Sequence, residues 1–569
     1  MYTLGINAAF HDCSACLVED GVVLAASEEE RYTRIKHGKR PLPFTTWQLP
    51  YHAIDDCLRQ AGISLRDVAH VAYSYDPSIE LGESAGSIML PLEPSAAGET
   101  ASPWEALALC YIVNAPRQLA GGAPLHLRRR FLANGAAPPY RWHFVEHHRA
   151  HEASAFLAAP MEECAVLVLD GRGERASTSY GVFSGGRYER IGQVCLPHSL
   201  GLLYEDITAH LGFLHSSDEY KVMALAAFGQ PRFAPQLRDI VRYRGDGDYT
   251  VAPVRWPDVL GPPRLAGAPL EQRHRDIACS LQIVLQETVD AIVAWLHRRS
   301  GMDQLAMAGG VALNCVMNGA LRKNGPFRRI WVQPAAGDAG TALGAALWVD
   351  HEQRGAPGRR WTMQHAYLGP AFDDDAIEAA LRESLLSYRR VDDIAGAAAR
   401  LLAQGKVLGW FQGRMEFGPR ALGARSILAS PIDAAMQQRL NRIKDREDFR
   451  PVAPVVPEEA AADWFEDGSP SPYMLFAGRV RTDKAAHIPA ACHIDGSARL
   501  QTIAPAQNAL LHRLLTAFGE RTGVPVLINT SFNTRGQPVV CTPRDALAAY
   551  CTSAIDALAI GSFLLEKQP

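Results

Sequence analysis

The sequence predicts an α/β protein built as two domains. Short apolar segments of strand length alternate with helical stretches, which favours strands covered by helices. A segment rich in Gly, Pro and charge, QRGAPGRRWTMQHAYLGPAFDDD at 353–375, breaks that pattern. The 569 residues also exceed what one core usually holds. The expected division is 1–355 and 356–569.

The first strand is YTLGINA, followed by the polar turn FHDCS. ACLVEDGVVLAASEEER reads as a hairpin with Asp20-Gly21 at its turn, a corner whose amides can point at an anion. Further strands are expected at 165–170 (AVLVLD) and 305–314 (LAMAGGVALN), with helices at 275–298 and 339–352. The second domain opens with a helix at 392–406 and the strand VLGWF. It closes with the strand VPVLINTSF and the helix PRDALAAYCTS. Residues 88–104 read as a flexible insertion.

A net charge of −4 over this length gives no electrostatic reason to expect a nucleic-acid partner. The start MYTLGINAAF lacks the basic and apolar regions of a signal peptide. No uninterrupted run of about 18 apolar residues suggests a membrane span. The 11 scattered cysteines fit a reducing cytoplasm better than a disulfide framework. Cys13 and Cys16 form a CxxC with no second pair to complete a thiolate zinc site, so they read as ordinary packed cysteines.

The chemistry-bearing residues begin with EHHRAH. His147 and His151 stand four apart, which on a helix places both imidazoles on one face. Asp170 and Asp338 follow expected strands and can complete a cation site. Two imidazoles and two carboxylates suit a divalent first-row metal better than calcium. Three turns have the glycine or polar content that approaches a nucleotide closely: the FHDCS turn, Asp170-Gly171-Arg172-Gly173-Glu174, and Gly309-Gly310 running on to Asn314. Such loops after strands resemble the nucleotide cleft of actin-like ATPases.

In the second half, FQGRMEFGPRALGARS concentrates three arginines and a carboxylate among glycines. Guanidinium forks bind phosphate in bidentate fashion. Lys444, Arg446 and Arg450 add charge, and Asn529-Thr530-Ser531-Phe532-Asn533 ends a strand with amides and hydroxyls. Together they can hold polyanions such as a triphosphate and an acyl phosphate. KHGKR at 36–40 reads by default as a solvated basic loop.

At these motifs the chain resembles the O-carbamoyltransferases of antibiotic and nodulation-factor biosynthesis. GINAAFHDCSACLVEDG, EEERYTRIKHGKRP, EHHRAHEASAF, DGRGE, YKVMALAAFG, GGVALN, GRMEFGPRALGARSIL, KDREDFRPVAP and NTSFNTRGQPVV carry the likeness in order across both halves. The resemblance implies an actin-like (ASKHA) first half, like the tRNA threonylcarbamoyl transferase subunit, and a YrdC-like second half. It implies that ATP and carbamoyl phosphate yield carbamoyl-AMP in the second half, with Mg2+ accompanying ATP. The carbamoyl group then passes internally to the first half and to a hydroxyl of a small-molecule acceptor.

By matching position, His147, His151, Asp170 and Asp338 would bind iron(II) or another first-row ion. Gly171, Gly173, Gly309, Gly310 and Asn314 would contact nucleotide. Arg420, Lys444, Arg450, Asn529 and Ser531 would line the adenylation site. Lys39, with Arg420 and Arg450, would contact carbamoyl phosphate or its phosphate. A base must take the acceptor's proton, and His11 beside Asp12 is the candidate. The chain departs from the family in DEYKVMALAAFG, where relatives often have a glycine before the lysine. Two rival readings are a tRNA threonylcarbamoylating enzyme and a non-catalytic actin-like ATP-binding module. The fused second half and weak net charge oppose the first; the second leaves the charged motif unexplained.

Overall fold

The computed structural model describes residues 1–38, 49–81, 109, 111–121, 140–355 and 358–567. Lys39 and the expected insertion at 88–104 lie outside them. Two compact units result. The first comprises Met1–Gly201, His297–Ala312 and Arg329–Met363; the second comprises Leu202–Leu296, Leu313–Arg328 and Gln364–Pro569. This division differs from a single cut at 355. Segments 202–296 and 313–328 are held by long-range contacts inside the second unit that composition cannot register. Asn318 donates to the Leu475 carbonyl at 3.0 Å, and Lys221 pairs with Glu447 at 2.9 Å.

The first unit contains two five-stranded sheets. One is formed by β1 (Tyr2–Asn7), β2 (Ser14–Glu19), β3 (Val22–Glu28), β4 (Val68–Tyr73) and β5 (Arg141–Phe144), in the order β3-β2-β1-β4-β5. The other is formed by β6 (Cys164–Leu169), β7 (Ala176–Ser184), β8 (Arg187–Cys195), β9 (Gln304–Ala308) and β10 (Arg329–Val332), in the order β8-β7-β6-β9-β10. In each, the first three strands form an antiparallel meander and the last two join in parallel. This duplicated pattern is the actin-like architecture expected for the first half.

The expected hairpin turn is present: Asp20 and Gly21 both take positive φ, 48° and 86°, which a two-residue hairpin turn requires. β6 is apolar and buried at every residue, as a central strand must be. β9 ends at Ala308, earlier than the expected 314; Gly309 turns at φ 91° into a short 3-10 helix, Gly310–Leu313. Helix Ala339–Arg354 packs against β1 and against helix His147–Phe156. A Cβ at Gly344 would lie 1.8 Å from the Ala150 carbonyl oxygen, so only glycine permits this crossing. The close approach draws the histidine helix toward the start of the helix that follows Asp338.

The second unit contains an eight-stranded mixed sheet. Its strands are β11 (Arg389–Arg390), β12 (Leu408–Phe411), β13 (Arg425–Ala429), β14 (Ala453–Pro457), β15 (Gln501–Ile503), β16 (Leu527–Ser531), β17 (Ala557–Ile560) and β18 (Phe563–Glu566). They run in the order β11-β18-β17-β12-β13-β16-β14-β15. Leu408, Trp410 and Leu428 face a core built with helices Ile394–Ala403 and Ala509–Thr522. Phe411, Ile427 and Ala429 face another, which includes Ala546, Leu547 and Tyr550 of helix Pro543–Thr552. Alternate residues of β12 and β13 thus serve opposite faces. Each fully buried Leu or Ile contributes about 1.5–3 kcal/mol.

Among the described residues, helix Gln272–Ser300 has the length and hydropathy to cross a membrane, although 61% of its apolar window is buried in the protein. Cys13 and Cys16 are buried and unbridged, in line with ordinary packing.

Candidate functional site

The first site lies where parallel strands of the first unit end, the usual ligand position in α/β folds. Asp170 follows β6, Gly309 and Gly310 follow β9, and Asp338 follows β10. Asn7, the last residue of β1, shapes the next turn by donating from Nδ2 to the carbonyls of His11 (2.8 Å) and Asp12 (3.1 Å). Helix His147–Phe156 presents His147 and His151 one turn apart, with rings 4.7 Å apart.

His147, His151, Asp170 and Asp338 are all buried, and their ligand atoms lie within 4.8 Å of one another. His147 Nε2 is 3.8 Å from Asp170 Oδ2 and 3.6 Å from Asp338 Oδ1. His151 Nε2 is 3.9 Å from Asp170 Oδ1 and 3.6 Å from Asp338 Oδ1. These spacings are too long for hydrogen bonds. Atoms about 2.1 Å from a tetrahedral ion stand roughly 3.4 Å apart. The Nε2 atoms of both histidines and both oxygens of Asp338 are buried without hydrogen-bond partners. Two neutral imidazoles and two carboxylates carry a charge of −2 in a dry site, which a divalent cation neutralises. The residues therefore fit a first-row metal ion.

Surrounding groups hold this set in place. Ser74's carbonyl lies 3.2 Å from His147 Nδ1, leaving Nε2 to face the cluster. Asp170 Oδ1 accepts from the Gly310 amide at 2.8 Å. Glu174, also buried, accepts from the His147 amide at 3.0 Å and the Asp76 amide at 2.7 Å. It thereby caps the histidine helix, whose own N-cap residue, Glu146, makes no side-chain capping bond. Burial pushes the Glu174 carboxyl up to about 7 against the opposing pull of His147. Burial would lower His147, but Asp338 and Asp170 reverse the shift and hold it well above the usual histidine range. For His148 burial outweighs the pull of Asp170 and, with His151 and His147 nearby, pushes it well below that range; its Nδ1 lies 3.0 Å from Ser179 Oγ.

His11 borders the cluster. Its Nδ1 is 3.0 Å from Asp12 Oδ2, and its Nε2 is 3.6 Å from Asp338 Oδ2. The other Asp12 oxygen is 2.8 Å from His37 Nδ1. Burial would raise Asp12, but His37 and His11 outweigh it and keep the carboxylate well below its ordinary value. His37, expected in a solvated loop, is thus half-buried and tied to the turn.

The second site lies wholly in the second unit. The chain between β12 and β13 folds around Glu416, whose Oε1 accepts from the amides of Leu422 (2.7 Å), Ala424 (2.7 Å) and Arg425 (3.2 Å). Arg425 is fully buried and donates to the carbonyls of Gln412, Gly413, Ala424 and Pro370. Its role is to organise the loop. Arg414 donates to the Leu368 and Gly369 carbonyls.

Of the motif's three arginines, Arg420 is left to join Arg446, Arg450 and Arg499. Burial pushes Arg420 down to about 9, helped by Arg499 and Arg450. Burial likewise pushes Arg446 down to about 9, helped by Arg450 and Arg499. Arg420 Nε, Arg446 Nη2 and Arg499 Nε are buried without hydrogen-bond partners. Such crowding of guanidinium groups has the chemistry of a polyanion site. Lys444 Nζ donates to the Ser531 carbonyl at 2.5 Å and to Asn533 Oδ1 at 2.6 Å. Asn529 donates to Gln501 Oε1 at 2.7 Å, and its own Oδ1 is buried without a partner.

A family model described as carbamoyltransferase N-terminus matches residues 2–81 and 137–347, and one described as carbamoyltransferase C-terminus matches 399–567. The chain belongs to the carbamoyltransferase family. This carbamoyltransferase is 38% identical to an uncharacterized protein of Synechocystis sp., over 100% of this chain and 97% of that one. It is 38% identical to nodulation protein NolNO of Sinorhizobium fredii, over 99% of this chain and 80% of that protein. It is 34% identical to the 3'-hydroxymethylcephem-O-carbamoyltransferase of Amycolatopsis lactamdurans, over 72% of this chain and 77% of that one.

The carbamoyltransferase brings together the four expected metal ligands with His11 and Asp12 in one unit, and Arg420, Arg450 and the Lys444–Ser531 pair in the other. Gly171 and Gly173 lie in the turn after Asp170, while Gly309 and Gly310 wrap Asp170 itself. Asn314 caps helix Cys315–Asn324 and exchanges amide hydrogen bonds with Gln282 at 2.9 and 3.2 Å. Its polar atoms are therefore committed within the protein. The sequence reading gave no role to Glu174, His37 or Arg499, although Glu174 closes DGRGE and His37 lies within KHGKR.

Proposed function

We propose that the protein is an ATP-dependent O-carbamoyltransferase that carbamoylates a hydroxyl of a small-molecule natural product. The observation that carries this reading is the presence, in one carbamoyltransferase chain, of an arginine cluster with unbonded buried nitrogens and a buried two-histidine, two-carboxylate cluster. Relatives named for nodulation and for cephem O-carbamoylation support a hydroxyl acceptor.

In this reading the second unit, whose mixed sheet suits a YrdC-like fold, performs adenylation. Water hydrolyses carbamoyl phosphate to carbamate and phosphate. A carbamate oxygen attacks the α-phosphorus of ATP, and the bond to pyrophosphate breaks, giving carbamoyl-AMP. Arg420, Arg446, Arg450 and Arg499 neutralise the leaving charge, with Mg2+ accompanying ATP. Lys444, Ser531 and the free Asn529 Oδ1 orient the nucleotide.

The first unit performs transfer. His147, His151, Asp170 and Asp338 would hold the ion, iron(II) in this proposal. A bound divalent cation there supplies Lewis acidity toward a carbonyl or phosphate oxygen. His11, oriented through Nδ1 by Asp12, takes the acceptor's proton at Nε2 as the hydroxyl oxygen bonds to the carbamoyl carbon and AMP leaves. Gly171, Gly173, Gly309 and Gly310 shape the turns that receive the adenylate, and Lys39 reaches its transferred group or phosphate. The reaction belongs in the cytoplasm, where ATP and carbamoyl phosphate are available.

The test is product analysis. Purified protein given ATP and carbamoyl phosphate should release pyrophosphate and AMP, and acceptor candidates should gain a carbamoyl mass. Dependence on threonine and bicarbonate in place of carbamoyl phosphate would favour threonylcarbamoylation. Nucleotide binding without either product would leave only an ATP-binding module.

A further inference from the structure

The helix Glu219–Leu225 belongs to the unit that holds the arginine cluster. Its second residue is Tyr220. The Arg450 guanidinium carbon sits 4.6 Å from the Tyr220 ring centroid, within range of a cation–π contact. The Tyr220 phenol is also an electrostatic neighbour of Arg420 and Arg446.

The next residue anchors the helix. Lys221 Nζ bridges Asp218 Oδ2 at 3.1 Å and Glu447 Oε1 at 2.9 Å. The other Glu447 oxygen, Oε2, is buried without a hydrogen bond and lies 3.6 Å from Arg450 Nη1. Arg450 therefore sits between an aromatic face and a carboxylate oxygen that is not satisfied.

We propose that Tyr220 is a positioning residue of the anion site: its ring holds Arg450 out toward phosphate and keeps it from collapsing onto Glu447. This rests on reading the arginine cluster as the site for carbamoyl phosphate and the ATP phosphates. Without the ring, Arg450 pairs fully with Glu447, and the site loses one of its four guanidinium charges.

Inorganic pyrophosphate is the probe, with binding measured by calorimetry on the full chain and folding checked by circular dichroism and melting. Tyr220→Gly and Tyr220→Leu should weaken pyrophosphate binding about three- to thirtyfold, the scale of a lost cation–π contact. Tyr220→Phe should bind within about twofold of wild type, because the ring remains. In pyrophosphate-release assays, Tyr220→Leu should raise KM for carbamoyl phosphate with little change in kcat.

Arg450→Ala separates the two ideas. If it binds pyrophosphate as tightly as wild type, the reading of the cluster fails. In the Arg450→Ala background, Tyr220→Leu should have no further effect, since the ring would have nothing to position. Wild-type affinity in Tyr220→Leu, equal losses in Tyr220→Phe and Tyr220→Leu, or additive losses in the double variant would overturn the proposal.

Discussion

Asp338→Asn tests the buried cluster. Asp338 offers two unpartnered oxygens, one of them 3.6 Å from both histidine Nε2 atoms, so it is central to any ion held there. An ion held by four protein groups contributes about 10–16 kcal/mol. Shared evenly, that is about 3 kcal/mol per ligand, so the substitution should weaken binding roughly 10²-fold. With free metal a thousandfold above the wild-type Kd, wild type should gain about 4 kcal/mol and the variant about 1.4 kcal/mol. For a unit of roughly 250 residues, each kcal/mol moves Tm by about 2 °C. Adding Fe2+ or Co2+ to chelated protein should therefore raise Tm by about 8 °C in wild type and about 3 °C in Asp338→Asn.

The sign of the pH dependence follows from His147. Against the lowering effect of burial, Asp338 and Asp170 raise its folded pKa. Without metal, that imidazolium contributes stability below the unfolded value of about 6.5. The contribution is lost as pH rises through the raised folded value. Metal needs the neutral ring, so the metal-induced gain should grow from pH 6 to pH 8. Scanning fluorimetry with metal analysis by mass spectrometry reads both effects. Unchanged Tm on chelation, with wild type and variant melting alike at every pH, would refute the ligand assignment.

Arg420→Ala should reduce carbamoyl phosphate-dependent pyrophosphate release at least a hundredfold while leaving metal content intact; equal loss of metal would contradict the separation of the two sites. His11→Asn should slow carbamoyl transfer to the acceptor about 10²- to 10⁴-fold, with metal content and pyrophosphate release little changed, and an unaltered transfer rate would remove it as the base.

Local patterns wrote much of this architecture into the sequence. The Asp20-Gly21 hairpin, the buried run before Asp170 and the four-residue spacing of His147 and His151 each follow from a short-range rule. What escaped were residues whose meaning depends on distant partners. Glu174 matters because it receives amides from residues 76 and 147, and no window around 174 contains either. Arg425 resembled Arg420 in sequence, yet four backbone carbonyls claim it as a strut, while Arg420 keeps a buried Nε without a hydrogen bond. His37 looked like part of a solvated basic run until Asp12, 25 residues away, paired with it. Asn314 also has a distant partner that its surroundings in sequence do not reveal: its amide exchanges hydrogen bonds with Gln282.

The repeated sheets imply a kind of internal bookkeeping. β1 and β6 occupy the same position in their copies, so the turn carrying His11 and Asp12 is the structural twin of the turn carrying Asp170. In the proposed reaction one corner would handle a proton and the other an ion. Exchanging residues between the twin turns is therefore a natural route for redesign, because each backbone already carries an aspartate at its corner.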